Sequence, residues 1–210
     1  LRAATWLLSV FLLLPLLATA ETFTREDRFP LAPGSKLRVK MGVGELRIAA
    51  GAEPQVTVRL RVNVRRGSVE DARQRLRVEF KPGAEAELEI RGMEGFHTLV
   101  NRVQVHAQVH VPSQTHLNAE LGVGELRVQG VSGDLRAHVG VGEARLEIAD
   151  PSLYRSVRVH VGVGDLRHPF PGKVSGWLDK EYQGSFPEGR YRLEAEVGVG
   201  EVRISPAATI

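Results

Sequence analysis

The chain carries the stretch MGVGELRI at residues 41–48 and repeats its pattern four more times. Each copy reads apolar-Gly-Val-Gly-acid-apolar-Arg, and the other four lie at Leu121–Val128, Val139–Leu146, Val161–His168 and Val197–Ile204. A short unit that recurs this often indicates a repeat architecture, in which successive units stack because none can bury its apolar side alone.

Apolar residues occupy every second position on both sides of the glycines. In the second copy they are Leu117, Ala119 and Leu121 before the glycines and Leu126 and Val128 after them. A period of two is typical of a β-strand with one buried face. Since Leu121 and Leu126 are an odd number of positions apart, the buried side must switch between them. A bend or bulge at glycine allows this switch, so the glycines are predicted to be corners.

The spacing of the copies indicates how the corners stack. Gly122 and Gly140 are 18 residues apart, Gly140 and Gly162 are 22 apart, and Gly162 and Gly198 are 36 apart. Gly133 is nine residues from both Gly124 and Gly142 and precedes another acid-Leu-Arg, which predicts a half-turn. We therefore predict an all-β fold: a β-solenoid or β-helix-like stack of short strands with Gly-x-Gly corners. An ordinary antiparallel sandwich is the alternative, because short strands with regular glycine turns also suit it.

The same pattern predicts which side chains are buried. The apolar set is Val123, Val141, Leu126, Leu135, Val139 and Val161, whereas Arg127, Arg136, His138 and His160 are predicted to be exposed.

Outside the repeats, one segment changes period. Residues 68–76 begin with the capping Ser68, continue with two acids and end in arginines, which favours one short helix. Alternating strands are predicted at Val56–Val64, Arg77–Phe80, Ala86–Ile90, Val103–Val111 and Tyr191–Ile204. A polar lead-in is expected at Glu21–Leu37, a loop at Arg91–Thr98, and a long loop or irregular hairpin at Pro169–Gly189.

Residues 1–20 have the features of a secretory signal peptide. Arg2 gives a positive start, Trp6–Leu17 is almost wholly apolar, and Ala18-Thr19-Ala20 is a small-x-small cleavage site. The apolar run falls short of the ~20 residues that a membrane span needs. The sequence therefore predicts a secreted or periplasmic mature chain, residues 21–210, that forms a single domain and has no membrane span.

Composition narrows the function classes. The chain contains no cysteine, which removes disulfides, thiol catalysis and thiolate metal sites. Its formal net charge of +3 falls to +2 once Arg2 is removed with the leader, and acids are interspersed among the basic residues. Nucleic acid is therefore not an expected partner, because it requires a clustered basic face. A local basic excess occurs only at Arg59–Arg66, where Arg59 and Arg61 fit the solvent side of a strand.

The ordered set of features resembles the bacterial putative adhesin family of unknown function, related to the toast-rack domains of envelope proteins. The resemblance covers nearly the whole mature chain. Its most specific part is Val111-Pro112, followed by the alternating residues 117–121 and the glycines at 122 and 124. This chain differs in carrying valine between the glycines, where the family often has Ser or Asn. The resemblance implies an adhesin-like envelope protein and brings no catalytic motif.

One candidate interaction surface follows from the repeats. Acid and arginine are two positions apart in every copy, so both project from the same side of a strand. The acids are Glu45, Glu125, Glu143, Asp165 and Glu201, and the arginines are Arg47, Arg127, Arg145, Arg167 and Arg203. In a stack, neighbouring acids would be ~5 Å apart and would repel each other unless the arginines pair with them. This ladder is either a solvated charge pattern that protects the surface or a strip that binds an envelope protein or polysaccharide.

Two features of the sequence are candidates for metal binding. The glycine spacing is similar to that of calcium-binding nonapeptide β-rolls, but the required Asp position holds Leu or Ala, and one acid per copy beside an arginine is a poor calcium site. His138 and His160 occupy the same place in consecutive copies, so two imidazoles stacked on adjacent coils could bind zinc or titrate together near neutral pH, although exposed strand histidines usually do neither. The sequence contains no fixed ligand spacing, and neither a metal nor any other cofactor is predicted.

Catalysis has less support than binding. No serine lies in a Gly-x-Ser-x-Gly elbow. An arginine beside each acid would hold it ionised, whereas a general acid needs a raised pKa. The sequence therefore predicts a non-enzymatic β-solenoid scaffold or interaction protein of the cell envelope. The alternative is a carbohydrate-active β-helix enzyme or a glycan-binding module, which would show a cleft with unpaired carboxylates facing each other.

Overall fold

The computed structural model describes residues 21–65, 68–92 and 103–207, so the predicted signal peptide and most of the predicted loop at 91–98 lie outside the described residues. The elements are β1 (Glu21–Pro30), β2 (Lys36–Gly51), β3 (Gln55–Val64), α1 (Val69–Arg75), β4 (Arg77–Lys81), β5 (Glu85–Arg91), β6 (Val103–Pro112), β7 (His116–Gln129), β8 (Leu135–Ile148), a 3₁₀ turn (Pro151–Leu153), β9 (Tyr154–Arg167), β10 (Lys180–Ser185) and β11 (Tyr191–Pro206).

The five repeat copies lie side by side as parallel strands, in the spatial order β2, β7, β8, β11, β9. Their corner glycines are in register: Gly44, Gly124, Gly142, Gly200 and Gly164. The prediction of an all-β stack of strands that turn at Gly-x-Gly is confirmed. The parallel pairing of these strands is not what the antiparallel sandwich alternative would give.

The stacking order departs from the chain order at its end. β11 lies between β8 and β9 and pairs in parallel with both. The connection from β8 to β9 includes the 3₁₀ turn Pro151–Leu153, which is capped by Asp150 through its hydrogen bond from the Ser152 N–H. This connection passes over the position that β11 fills, so consecutive copies are not always spatial neighbours.

Each repeat strand has two arms that meet at the Gly-Val-Gly corner. We call the part before the glycines the first arm (residues 36–41, 116–121, 135–139, 154–161 and 191–197) and the part after them the second arm (residues 45–51, 125–129, 143–148, 165–167 and 201–206). The predicted switch of the buried side occurs at the corner: Leu121 and Leu126 are both buried. The two arms therefore contribute to one hydrophobic core.

The prediction that the corner valines are buried is wrong. Val123 is 44% exposed and Val141 is 49% exposed. The following glycines explain this outcome: Gly124 and Gly142 have φ of +136° and +137°, a conformation that L side chains rarely adopt. A Cβ on Gly142 would also overlap the carbonyl oxygen of Gly124. The glycines thus allow the backbones of neighbouring repeat strands to approach closely at the corner. The valine between each pair of glycines points outward.

The other burial predictions mostly agree with the structure. Leu126, Leu135, Val139 and Val161 are buried, and Arg136 and His138 are exposed. Two side chains that were predicted to be exposed, Arg127 and His160, are only partly so. Both are partly covered by a partner on the outer faces of the arms, since Arg127 pairs with Glu125 and His160 contacts Asp179.

Strands outside the repeat complete the sheet at both ends. Beside β2, two strands share one strand position: β5 pairs with its first arm and β6 with its second arm. β3 and β1 extend the second arm as antiparallel strands, and β4 pairs with β5. At the other end, β10 pairs with the first arm of β9, within the segment predicted as an irregular hairpin.

The short helix is confirmed, with Ser68 as its N-cap accepting a hydrogen bond from the Asp71 N–H.

Two other predictions, on residues 21–37 and on Gly133, are wrong. The expected polar lead-in contains β1, because Glu21–Pro30 pairs along its whole length with β3 despite its weak apolar pattern. Gly133 is not a half-turn of its own but lies in the connection between β7 and β8. Among the described residues, no helix is long and apolar enough to cross a membrane.

Candidate interaction surface on the second arm

The outer face of the second arm carries the acids and arginines of the repeat as two columns that run across the strands. In spatial order the acids are Glu45, Glu125, Glu143, Glu201 and Asp165, and the arginines are Arg47, Arg127, Arg145, Arg203 and Arg167. These ten residues are called the charge ladder below. Because the strands are in register, like charges follow each other along each column at the strand spacing of ~4.8 Å.

Ion pairs within single strands neutralise the ladder. Arg127 contacts Glu125 at 2.9 Å, Arg145 contacts Glu143 at 2.5 Å and Arg203 contacts Glu201 at 2.8 Å. Arg47 and Glu45 pair in the same way. These partners are two positions apart and therefore project from the same side of the strand. Arg145 also contacts Glu125 of the neighbouring strand, at 3.2 Å.

The fifth strand departs from the expectation that every acid pairs with its own arginine. Asp165 instead accepts a hydrogen bond from Lys180 of β10 at 2.6 Å. Arg167 contacts Glu201 of the neighbouring strand at 3.6 Å. β9 is the last strand of the ladder, so Asp165 has a neighbouring strand, β10, that supplies a different cation.

Hydrogen bonds lower the pKa of three ladder acids, Glu143, Asp165 and Glu45. The hydrogen bond from Arg145 lowers the pKa of Glu143, and that from Lys180 lowers the pKa of Asp165. Burial raises the pKa of Glu45, but hydrogen bonds with His106 and Arg47 outweigh it and leave the pKa below its ordinary value. Carboxylates held in this state accept hydrogen bonds and pair with cations, but they are poor proton donors near neutral pH.

The histidines predicted to lie on adjacent strands are separated. Glu196 of β11 lies in register with His138 on one side and His160 on the other. His138 Nδ1 is 3.4 Å from Glu196, whereas His160 Nε2 contacts Asp179 at 2.6 Å. No group of three His, Asp or Glu side chains that could hold a metal ion occurs in the described part of the chain. The prediction that stacking makes these histidines neighbours is therefore wrong, because it assumed that β8 and β9 are adjacent.

A recess at the β1 end of the same face was not predicted as a site. It lies over β1, β3, β6 and β2 and has a volume of about 540 Å³. Its lining is Thr24, Arg25, Glu26, Glu45, Arg47, Arg59, Leu60, Arg61, Asn63, His106, Ala107 and Gln108. The sequence signal was the local basic excess at 59–66, which the alternating pattern alone assigns to the solvent side of a strand.

The carboxylates of this recess do not form a facing, unpaired couple. Glu26 contacts Arg28 at 2.6 Å and Arg59 at 2.8 Å, and these hydrogen bonds lower its pKa. Glu45 contacts His106 Nδ1 at 2.6 Å in addition to its arginine. A glycosidase-like cleft would present two unpaired carboxylates that face each other, whereas Glu26 and Glu45 are both paired.

Comparisons with known proteins give matches among solved structures alone: no protein-family model and no curated protein matches the chain. A structure named as a putative cell adhesion protein from Clostridium sporogenes is 19% identical, with a TM-score of 0.50 over 87% of this chain and 99% of that one. A putative adhesin from Bacteroides fragilis is 10% identical, with a TM-score of 0.32 over 90% of this chain and 99% of that one. One from Parabacteroides distasonis is 8% identical, with a TM-score of 0.28 over 90% and 98%.

At this level of identity the likeness to the Clostridium sporogenes protein concerns the fold alone. It confirms the resemblance to the bacterial proteins named putative adhesins, which the sequence pattern of corners, helix and strands indicates.

Proposed function

We propose that the chain is a secreted or periplasmic, non-enzymatic adhesin-like interaction protein of the bacterial envelope, and that the charge ladder is its binding face. The observation that carries this proposal is the register of the five repeat strands, which repeats one acid–arginine pair at every strand. A lattice with a fixed period of ~4.8 Å suits a partner whose own charges are regularly spaced, such as a polysaccharide or a repetitive protein.

The ion pairs of the ladder support recognition over catalysis. The ladder pairs lie at the surface and are partly exposed, and surface pairs contribute only ~0–1 kcal/mol each to folding. A ligand carboxylate or ammonium group can therefore replace one member of a pair at small cost to the fold. The lowered pKa of Glu143 argues against general-acid chemistry at the same surface.

Export is part of the proposal. The first strand, β1, starts at Glu21, so cleavage after Ala20 would leave every described strand intact. Sequencing the amino terminus of protein recovered from outside the cytoplasm should give Glu21 or a residue near it. A mature protein that retains Trp6–Leu17 would place the chain in a different compartment.

The ladder is tested by neutralising three of its side chains together. Glu125→Gln, Glu143→Gln and Arg145→Gln should leave the protein folded, with an unfolding free energy within about 1–2 kcal/mol of wild type, because the pairs lie at the surface and are partly exposed. Binding to the carbohydrate and protein fractions of envelope extract should be lost. The measurement is retention of each fraction on immobilised protein whose fold has been checked by circular dichroism.

The matched control makes the same chemical change on the first arm, with Glu120→Gln, Glu194→Gln and Arg136→Gln. This variant should retain its partners if the second arm is the binding face. An unchanged set of partners for the ladder variant would remove the ladder from the function of the protein.

A further inference from the structure

The recess over β1, β3, β6 and β2 contains one arginine whose charge is not balanced. Its other arginines have partners: Arg25 contacts Asp27 at 2.7 Å, Arg59 contacts Glu26 at 2.8 Å, and Arg47 pairs with Glu45. Arg61 has no ion pair and no side-chain hydrogen bond within the described residues, although it lies at the same outer face as the ladder.

The strand register explains why Arg61 has no acid beside it. Its in-register neighbours are Thr24 of β1 and His106 of β6. Along its own strand, the residues on the same side are Arg59 and Asn63. His106 already contacts Glu45. Arg61 thus lies in the row of side chains that continues into Glu45, and within the described part of the chain its guanidinium has no acid to compensate it.

The rest of the lining supplies neutral donors and acceptors. Thr24 offers a hydroxyl, while Asn63 and Gln108 offer amides. The carboxylate of Glu26 can accept further hydrogen bonds, since an ionised carboxylate has about four acceptor sites. This combination of one free guanidinium with hydroxyl, amide and carboxylate groups is suited to a small polyol that carries a single negative charge.

We infer that the recess binds a sugar acid of the hexuronate type, whose carboxylate pairs with Arg61. A guanidinium presents two parallel N–H groups that match the two oxygens of a carboxylate. The sugar hydroxyls are then within the polar lining, and the volume of about 540 Å³ lies in the range of small-molecule sites. A phosphate dianion fits less well, because Arg61 is the one cation of the lining that has no protein partner among the described residues.

This inference can be tested separately from the charge ladder as a binding face. The recess shares Glu45 and Arg47 with the ladder, but Glu125, Glu143 and Arg145 do not line it. The ladder variant proposed above should therefore still bind a free hexuronate. Loss of polymer binding and loss of hexuronate binding are separate outcomes, so the two proposals fail independently.

The test measures binding of free glucuronate and galacturonate to the mature chain by calorimetry or by NMR titration. Glucose and galactose are the neutral probes, and inorganic phosphate is the anionic probe that lacks the hydroxyl groups of a sugar. We expect a hexuronate to bind at least about tenfold more tightly than its neutral counterpart and than phosphate, because only it satisfies both the charge and the polar lining.

Two variants locate the site. Arg61→Gln keeps much of the side-chain length but removes the charge, and should weaken hexuronate binding at least about tenfold. Arg158→Gln is the matched control, since Arg158 is another exposed strand arginine but lies on the first arm. It should bind like wild type.

Three results would overturn the inference. They are equal affinity for hexuronate and neutral sugar, affinity for phosphate as high as for hexuronate, and hexuronate binding that survives Arg61→Gln in folded protein.

Discussion

The outer faces of the two arms distribute charge in different ways. On the second arm, like charges follow each other from strand to strand, and acid and arginine pair within the strand in four of the five copies, as in Glu143 with Arg145. On the first arm, opposite charges alternate over β8, β11 and β9. Arg136 of β8 contacts Glu194 of β11 at 2.7 Å, and Glu194 is in register with Arg158 of β9 on its other side.

This difference indicates what fixes the order of the strands. If β9 lay beside β8 in the same glycine register, Arg136 would lie next to Arg158 and His138 next to His160. Insertion of β11 places Glu194 between the two arginines and Glu196 between the two histidines. Opposite charges across a strand pair stabilise it and like charges destabilise it, so the first arm favours the observed order.

The second arm cannot make the same distinction. Every copy presents an acid followed two positions later by an arginine, so any order of the strands gives the same columns. Its identical units specify that the copies stack in register. The first arm, in which the copies differ, specifies which copy lies beside which.

The largest expected effect lies at the corner that separates the arms. Gly142→Ala would put a Cβ against the carbonyl oxygen of Gly124 at a φ of +137°. The backbone strain alone costs about 1–3 kcal/mol. The neighbouring strand would also have to move, so we expect a loss that leaves little folded protein. Chemical denaturation followed by circular dichroism measures it.

Gly42→Ala is the control for the corner, because it changes a glycine of the same motif that has no positive φ and no atom near its Cβ position among the described residues. Its unfolding free energy should stay close to wild type. Equal losses in the two variants would contradict the steric explanation of the corner.

The next effect tests whether both arms line one core. Leu121 of the first arm and Leu126 of the second are both buried, so Leu121→Ala and Leu126→Ala should each destabilise the protein by about 2–5 kcal/mol. Val123→Ala, at the exposed corner between them, should change stability by no more than about 0.5 kcal/mol. A large loss of stability in Val123→Ala, or a small loss in one of the leucine variants, would show that the two arms do not contribute equally to one core.

A smaller effect tests the alternating charges of the first arm. Glu194→Lys places a cation between Arg136 and Arg158 and should destabilise the fold by about 1 kcal/mol, since these side chains are exposed. Adding Arg136→Glu should restore part of the loss. Glu188→Lys, in the exposed segment between β10 and β11, is the charge-matched control and should be nearly neutral. Thermal melts at low ionic strength give the comparison, and identical effects at 188 and 194 would argue against the proposed origin of the strand order.

The smallest effect concerns the pH dependence of a second-arm pair. Arg145 lowers the pKa of Glu143 below its ordinary value of 4.5 in the folded protein. A lowered pKa stabilises the fold above the unfolded-state value, and this contribution is lost as the pH falls through the folded-state value. Glu143→Gln should therefore be slightly less stable than wild type near pH 7, and the difference should vanish at strongly acidic pH. Urea titrations at several pH values test this, and a constant difference would show that ionisation of Glu143 does not contribute.

Much of the fold could be predicted from local pattern. Three local signals carried the prediction: period-two alternation for the strands, odd spacing across the glycines for the corners, and the capped segment at 68–76 for the helix. Each signal depends only on the strand or helix in which it occurs. The outward direction of Val123 could not be predicted in this way, because it depends on the close approach of Gly124 to Gly44 on a neighbouring strand. The strand β1 was missed for a similar reason, since its partner β3 supplies the pairing that its own sequence does not signal.

The candidate surface was predictable in part as well. The spacing of acid and arginine places both on one side of a strand, and that arrangement holds in all five copies. The exception at Asp165, which pairs with Lys180, arises because β10 folds back beside β9. The recess around Arg61 combines four strands from separate parts of the chain, so no local motif marks it.

The sequence by itself therefore determined the all-β class, the corners and the pairing of charges within each strand, because these follow from the period of a strand and from the conformational range of glycine. The tertiary structure alone decided that β11 lies between β8 and β9, which separates His138 from His160. It also decided, at the other end of the sheet, that the in-register neighbours of Arg61 are Thr24 and His106 rather than an acid. The physical reason is that identical repeats can pair in several orders. The choice depends on side chains of different strands, which meet only in the folded protein.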